Sequence, residues 1–173
     1  MNKNKNKDKP RAKTQSKKQI EQAAQKLARP EVESLGYEIW DLEYYNDGAE
    51  WLLEITIENP AGAPISFEDC EKVTHAVGPA LDKADPIEGS YCLAVGSPGL
   101  NRELKNENHL TKYINKEVAV KLFANNEAVG GKSFEAVLKE AGGPEKDFVF
   151  ELPGGAKLEA AKKEIAHIYA RDA

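Results

Sequence analysis

The chain has few cysteines, few aromatic residues and no long apolar run. Its 173 residues include two cysteines and 8% aromatic side chains, and no apolar stretch approaches the length of a membrane-spanning helix. The apolar core of a secretory signal is also missing near its start. We therefore expect a soluble cytoplasmic protein that has no contact with a membrane.

The two cysteines lack the spacing of a metal or redox motif. Cys70 and Cys92 do not form a C-x-x-C pair. Cys70 falls on the apolar face of a predicted helix, and Cys92 falls within a predicted strand. We expect two buried free thiols rather than a disulfide.

Familiar catalytic and metal-binding patterns are missing as well. The spacing of His75, His109 and His167 matches neither H-E-x-x-H nor a zinc finger, and we expect each to be a surface or half-buried side chain. Residues 130–133 imitate the end of a phosphate-binding loop, but Asn126 occupies the position of that motif's first glycine. We expect no catalytic residue, no metal and no cofactor, and nucleotide hydrolysis is the least favoured alternative.

Basic charge is scarce outside the start of the chain. Residues 1–18 hold eight Lys or Arg and one Asp, a net charge of +7. The remaining 155 residues hold 16 basic and 28 acidic side chains, a net charge of −12. Nucleic-acid binding over the whole surface needs clustered cations, which this acidic body lacks. The acidity favours a basic protein partner through electrostatic steering, and ordinary solubility charge is the alternative explanation.

The first 18 residues, called the basic head below, are low-complexity Asn/Lys sequence. We predict disorder, because the head cannot bury enough apolar area to offset chain entropy. Two interpretations stay open, namely contact with RNA phosphates and a solubilising tail without a partner. The candidate phosphate contacts are Lys3, Lys5, Lys7, Lys9 and Arg11.

The first half of the body alternates between helical and strand patterns. Helical spacing predicts a helix over about 18–35, which Pro30 should kink or divide. Ser66 and Asp69 form a capping box for a second helix, which residues 78–79 could break. Its apolar face should carry Phe67, Cys70, Val73, Val77 and Leu81. Two-residue alternation predicts three strands, near 37–45, 50–58 and 90–96. A hairpin turn should join the first two, and the helical crossover should make the second and third parallel.

The second half reads as a series of short strands. After a helical turn at 109–114, alternating apolar residues predict strands near 117–123, 133–139, 146–152, 156–161 and 164–169. Strands of this length, separated by glycine-rich turns, suggest a small barrel. Local propensity disagrees at 157–165, which is good helix-forming sequence.

The junction between the two halves has the form of a domain joint. The strand that ends near 96 is followed by Ser97, Pro98 and Gly99, which fit a type II turn with glycine where φ must be positive. A charged bridge over 100–105 then leads into the second half. A strand that ends in a stiff turn and such a bridge predicts a connection between two domains.

Four segments resemble one family. Residues 97–104, SPGLNREL, resemble the signature of the bacterial ribosome maturation factor RimP family. Residues 28–40, 65–73 and 85–91 are similar to further segments of that family and occur in the family's order. The resemblance covers roughly residues 20–122. Three positions depart from the usual pattern, where Gly96, Asn101 and Glu103 replace a serine, an aspartate and a proline.

The resemblance implies an α+β protein without enzymatic activity that binds the immature small (30S) ribosomal subunit and helps a basic ribosomal protein to dock. It implies a KH-like domain at 19–99, a linker at 100–105 and an SH3-like barrel at 106–173. The linker and barrel would contact the protein partner, and 16S rRNA is a further candidate partner for a monomeric chain. The residues implied at the joint are Ser97, Pro98, Gly99, Leu100 and Arg102.

Two alternatives remain at this point. The five joint residues could be purely structural, because proline and glycine in a turn need no ligand. The chain could also be a general RNA-binding module that uses the basic head and the KH-like sheet. The usual GXXG loop that grips RNA in a KH domain is not expected, since the only literal match, at 96–99, follows the last strand.

Overall fold

A computed structural model describes residues 15–99 and 101–171. The chain divides into two compact units, Met1–Pro98 and Gly99–Ala173. The first combines helices with a mixed sheet and the second is mostly antiparallel sheet, so the protein is of the α+β class. Within the described residues, no helix is long and apolar enough to cross a membrane.

The N-terminal unit has the order helix, strand, strand, helix, strand. Its elements are α1 (Lys17–Ser34), β1 (Glu38–Asn46), β2 (Trp51–Glu58), α2 (Phe67–Ala84) and β3 (Cys92–Gly96). The sheet order is β1-β2-β3, with β1 antiparallel and β3 parallel to β2. Gly48 has φ +102° in the hairpin between β1 and β2. The predicted hairpin and the predicted parallel pair are therefore confirmed.

Both helices of this unit pack against one face of its sheet. On β2, Leu53, Ile55 and Ile57 are fully buried while the intervening residues are only half-buried, as the predicted alternation requires. The helices supply the rest of the core with Ala24, Ala28, Val32, Val73, Val77 and Leu81. Leu93 and Val95 of β3 pack against the same cluster. Burial on this single face fixes the strand register.

Neither helix is divided at its proline, so of the kink or division predicted at Pro30 the division is wrong, and the break predicted at residues 78–79 is absent. Pro30 lies inside α1 and Pro79 inside α2, and each helix continues past it. Both prolines are exposed, so their rings lie away from the sheet. Buried residues on both sides, such as Val77 and Leu81 in α2, hold the helical path through tertiary packing.

The capping box predicted at the start of α2 is present and is extended by a tyrosine. The Ser66 hydroxyl accepts from the Asp69 N–H, and the Asp69 carboxylate accepts from the Ser66 N–H at 2.8 Å. The Tyr37 hydroxyl also donates to Asp69, at 2.5 Å. These bonds lower the pKa of Asp69 to about 2, and the bond from Tyr37 has the largest effect. The end of α1 and the start of α2 are thus tied through one carboxylate.

Three side chains of this unit are not buried as the sequence predicted. Phe67 was expected on the apolar face of α2, but it is 83% exposed, because the first helical residue points away from the core here. Cys92 was expected to be buried, but it is exposed on β3, where its thiol contacts Glu50 at 2.9 Å. Cys70 is only half-buried. Both cysteines are free, as predicted.

The C-terminal unit begins with a short helix and continues as a meander. Its elements are α3 (Glu107–Lys112), β4 (Glu117–Asn126), β5 (Gly131–Glu140), β6 (Phe148–Glu151), β7 (Lys157–Ala160), a 3-10 turn (Lys162–Glu164) and β8 (Ile165–Ala170). The sheet order is β7-β6-β5-β4-β8, and all of its pairs are antiparallel. The predicted strands are present.

The predicted closed barrel is not seen. Over residues 101–171, β7 and β8 are the two ends of the sheet and do not pair with each other. Its inner face is nonetheless a continuous core formed by Val118, Val120, Leu122, Ala136, Leu138, Phe148, Phe150, Leu158, Ala160, Ile168 and Ala170. The helix-prone stretch at 157–165 forms β7 and the 3-10 turn, because Leu158 and Ala160 are buried by strand pairing with β6.

We predict that the Asp69 carboxylate makes stability depend on acid pH. Because the folded-state pKa of Asp69 is lowered, its stabilising effect is complete above the ordinary pKa of 3.8 and is lost as the pH falls through about 2. Asp69→Asn should therefore melt below the unaltered protein at neutral pH, and the gap should narrow across that acid window. Thermal melting across pH measures this gap.

Glu68→Gln is the matched control, since Glu68 is an exposed acid in the same first turn of α2. It keeps the capping box and the Tyr37 bond intact, so its melting should show little of this pH dependence. A gap for Asp69→Asn that stays constant from neutral pH to pH about 2 would contradict the assigned role.

Candidate functional site

The joint predicted after β3 has the backbone geometry that its residues suggest. β3 ends at Gly96, and Gly99 has φ +74°, the positive value required of the third residue in a type II turn. Ser97 is exposed and Pro98 is half-buried. A Cβ added at Gly99 would meet no atom within 4 Å, so backbone conformation alone selects glycine there. Leu100, the fourth predicted joint residue, lies outside the described residues.

The residues after the turn pair with the last strand of the C-terminal unit. The Leu104 N–H donates to the Ile168 carbonyl at 2.8 Å, and the Ala170 N–H donates to the Arg102 carbonyl at 2.7 Å. Glu103 forms an antiparallel bridge with Tyr169 between them. Leu104 is buried and Arg102 is half-buried. Residues 102–104, called the edge segment below, thereby cover the outer edge of β8.

One side-chain bond fixes the edge segment further. The Nδ1 atom of His167 lies 2.5 Å from Oε1 of Glu103, so the imidazole donates to the carboxylate. The His167 ring also stacks with Tyr169, with centroids 5.8 Å apart. Glu103 is the residue that replaces the family's usual proline. A proline there would lack the carboxylate that bonds His167, whereas the backbone bonds to β8 are made by Arg102 and Leu104 on either side.

A cleft of about 340 Å³ opens beside the edge segment. Its walls come from the edge segment, the start of α3, the loop before β6 and the start of β8. Its apolar lining is Leu104, Leu110, Phe148, Ile165 and Ile168, and charged side chains at its margin include Glu103, Lys105, Glu107, Lys162 and His167. A cleft of this size can take one side chain or a small ligand group.

The start of α3 contains a buried histidine, which the sequence prediction expected to be at the surface or half-buried. His109 is 3% exposed. Its Nδ1 accepts from the Lys105 backbone N–H at 3.2 Å, and its Nε2 lies 3.2 Å from Nδ2 of Asn106. The His109 backbone N–H donates to Oδ1 of Asn106, which caps the helix. The contacts of the two ring nitrogens replace water, which is why the ring can be buried. His75 and His167 are exposed, as predicted.

One glycine determines the shape of the cleft's wall. A Cβ on Gly142 would lie 2.7 Å from both the Lys146 carbonyl oxygen and the Phe148 nitrogen, and closer still to the Phe148 ring. The neighbouring Gly143 would meet nothing within 4 Å. Gly142 is thus required by close packing in a way that composition does not reveal.

Charge is divided unequally between the two units. Residues 15–99 hold six Lys or Arg and 16 Asp or Glu, a net charge of −10, whereas residues 101–171 hold 12 and 11, a net charge of +1. The acidity of the body therefore belongs to the N-terminal unit. The predicted phosphate contacts Lys3, Lys5, Lys7, Lys9 and Arg11 lie outside the described residues.

Sequence reasoning missed the cleft, the burial of His109 and the bond of His167. Glu103 was noted only as a departure from the family pattern, and no signal joined it to His167, which lies 64 positions away. Within residues 15–99 and 101–171, no group of three or more His, Cys, Asp or Glu side chains is placed to hold a metal ion. The features that are present are surfaces, turns and a cleft.

The fold and these features define a two-unit α+β protein with a joint at Gly99 and a cleft in the C-terminal unit. A family model described as the RimP N-terminal domain matches residues 27–101. The N-terminal unit therefore matches the RimP N-terminal domain over most of its length. The resemblance stated from the sequence motifs is confirmed, and the match does not extend over the C-terminal unit.

We predict that Gly142→Ala destabilises the C-terminal unit while Gly143→Ala does not. The new methyl group would overlap backbone atoms, which cannot move aside as a flexible side chain can, at a cost of about 1–3 kcal/mol. Gly143→Ala is the control, because it makes the same chemical change in open space. Denaturant unfolding measures the stability of both variants, and equal stability would contradict the close packing at Gly142.

Proposed function

We propose that this protein binds the immature small ribosomal subunit and assists its assembly by helping a basic ribosomal protein to dock. The observation that carries the proposal is the RimP N-terminal domain at residues 27–101. The protein would act by binding, without catalysis or a cofactor. It would stabilise one arrangement of rRNA and ribosomal protein through its higher affinity for that arrangement. We further propose that it acts as a monomer in the cytoplasm.

The charge of the N-terminal unit supports a basic partner. A net charge of −10 over residues 15–99 attracts a cationic polypeptide over long range and repels free RNA. Ribosomal proteins that must reach rRNA carry such cationic surfaces. An acidic unit can therefore accompany a basic protein to the particle without being held by RNA itself.

We propose that residues 97–102 act at the joint and at the protein partner. Gly99 provides the turn, and the edge segment begins only three residues later on β8. Few residues thus lie between Gly99 and the edge segment, so little intervening chain can absorb a change in the turn. The roles of Ser97, Pro98, Leu100 and Arg102 in contacting a partner belong to the same proposal.

The finer fold assignments are proposals as well. The α-β-β-α-β order of the N-terminal unit is compatible with a KH-like domain at 19–99. The five-stranded meander, in which β8 returns to β4 after a 3-10 turn, is compatible with an SH3-like barrel at 106–173. The linker would then be 100–105, of which residues 102–104 pair with β8.

The alternative is a general RNA-binding module that uses the basic head and the sheet of the N-terminal unit. The net charge of −10 over residues 15–99 weighs against that sheet as an RNA surface. The head remains the stronger part of this alternative. Removal of residues 1–18 distinguishes the RNA-binding module from the proposed assembly factor, because it should nearly abolish binding only if the head supplies the affinity.

We predict that binding distinguishes between ribosomal particles. Co-sedimentation should recover the full chain with free small subunits, immature ones above all, and recover little with complete ribosomes, because complete particles already hold the docked protein. The variant without residues 1–18 should still bind small subunits. Its affinity should depend less steeply on salt, by roughly 0.7–0.9 in the log–log slope for each phosphate that the head neutralises. Equal binding to all particles, or a failure to bind without the head, would overturn the proposal.

We also predict that Gly99→Ala weakens binding to small subunits. Alanine at a φ of +74° strains the turn by about 1–3 kcal/mol, which the chain can relieve by changing the path between the units. Gly96→Ala is the control, since Gly96 lies in β3, has no positive φ and has open space around a Cβ. Small-angle scattering and co-sedimentation should change for Gly99→Ala alone. Identical behaviour of both variants would show that the turn does not matter for binding.

A further inference from the structure

The outer face of the C-terminal sheet carries an exposed aromatic side chain in the middle of a strand. Alternate residues of β4, namely Val118, Val120 and Leu122, face the core, so Lys121 and Phe123 face outward. Phe123 is 65% exposed. Exposing the apolar surface of a large aromatic side chain to water costs free energy, and a partner that covers the side chain removes that cost.

The strands next to β4 add more aromatic and cationic groups to this face. His167 of β8 is directly opposite Lys121, and Tyr169 lies two residues further along β8. Cross-strand partners lie side by side on the same face of a sheet. The four side chains Lys121, Phe123, His167 and Tyr169, called the β4–β8 strip below, therefore run diagonally over two strands.

Two acidic groups near the strip are already engaged. Glu103 accepts from His167 at 2.5 Å, and Glu135 on β5 is paired with Arg171 at 2.8 Å. Lys121 forms no ion pair within the described residues. The strip thus combines π faces with a cation that is open to an anionic partner, on a unit whose net charge is +1 rather than −10.

We propose that the β4–β8 strip binds single-stranded RNA, with a base stacked on Phe123 and a neighbouring phosphate on Lys121. An exposed sheet that presents aromatic rings beside cations is a surface on which unpaired bases stack. The Glu103 bond and the stacking on Tyr169 hold the His167 ring in place for a second base. This RNA contact is separate from the proposed docking of a ribosomal protein and from the basic head.

The test is fluorescence anisotropy with the full chain and a labelled single-stranded RNA of about 12 nucleotides, within the usual site size. Phe123→Ala should weaken binding roughly 5- to 150-fold, the range expected for one stacked base. Phe123→Trp should retain the affinity. Phe67→Ala is the matched control, because it removes an even more exposed phenylalanine from the N-terminal unit, and it should leave the affinity unchanged.

The dependence of affinity on salt and on RNA strandedness distinguishes binding by the β4–β8 strip from binding by the basic head. Lys121→Gln should lower the slope of log affinity against log salt by about 0.7, the value for one phosphate contact on a single strand. The effect of Phe123→Ala should persist at about 200 mM salt, where the electrostatic contribution of the head is weak. The same RNA as a duplex should bind with no dependence on Phe123, because its bases are stacked inside the helix.

Two outcomes would overturn the proposal. Phe123→Ala could bind single-stranded RNA as the unaltered chain does, or Phe67→Ala could weaken binding as much as Phe123→Ala. In the first case, failure of Phe123→Ala to capture a purified basic ribosomal protein would make the strip a protein contact. None of these assays uses a ribosomal particle, so their failure is distinct from failure of the proposed function.

Discussion

The pairing of the edge segment with β8 is the constraint on which the C-terminal unit depends. The first residues of that unit are held by its last strand, through the bonds of Leu104 to Ile168 and of Ala170 to Arg102. An unpaired β8 would leave a row of exposed backbone groups. The pairing also buries Leu104 and forms one wall of the cleft. The path of residues 102–104 is thus decided by β8.

The N-terminal unit is organised by a different constraint, which is burial on one face of a three-stranded sheet. Two helices cover that face, and the carboxylate of Asp69 joins them by accepting from both Tyr37 and Ser66. Because packing supplies most of the stability of such helices, internal prolines are tolerated where their rings point to solvent. The same division between a buried and a solvated face leaves the polar surface free to carry a strong negative charge.

The two units therefore present different chemistry. The N-terminal unit carries a net charge of −10, which suits a cationic polypeptide, and the C-terminal unit carries exposed aromatic and cationic side chains on a nearly neutral surface. The proposed docking of a basic protein on rRNA would use both kinds of surface. Because one chain carries both, binding by one surface raises the effective concentration of the other.

The sequence by itself determined the elements of this protein. Alternation in β2, the capping box at Ser66 and the turn at Gly99 were predictable, because each depends on residues close together in the chain. The family also followed from local motifs. Tertiary structure alone decided that α1 and α2 continue through Pro30 and Pro79, and that the helix-prone stretch at 157–165 contributes a strand.

The site could be predicted only in part. The turn at Gly99 was predictable because proline and glycine restrict their own backbone. The cleft, the bond between Glu103 and His167 and the exposure of Phe123 could not be found, because each depends on strands that are distant in sequence. Local residues set which backbone conformations are favourable. Only long-range pairing sets which side chains meet and which remain exposed to solvent.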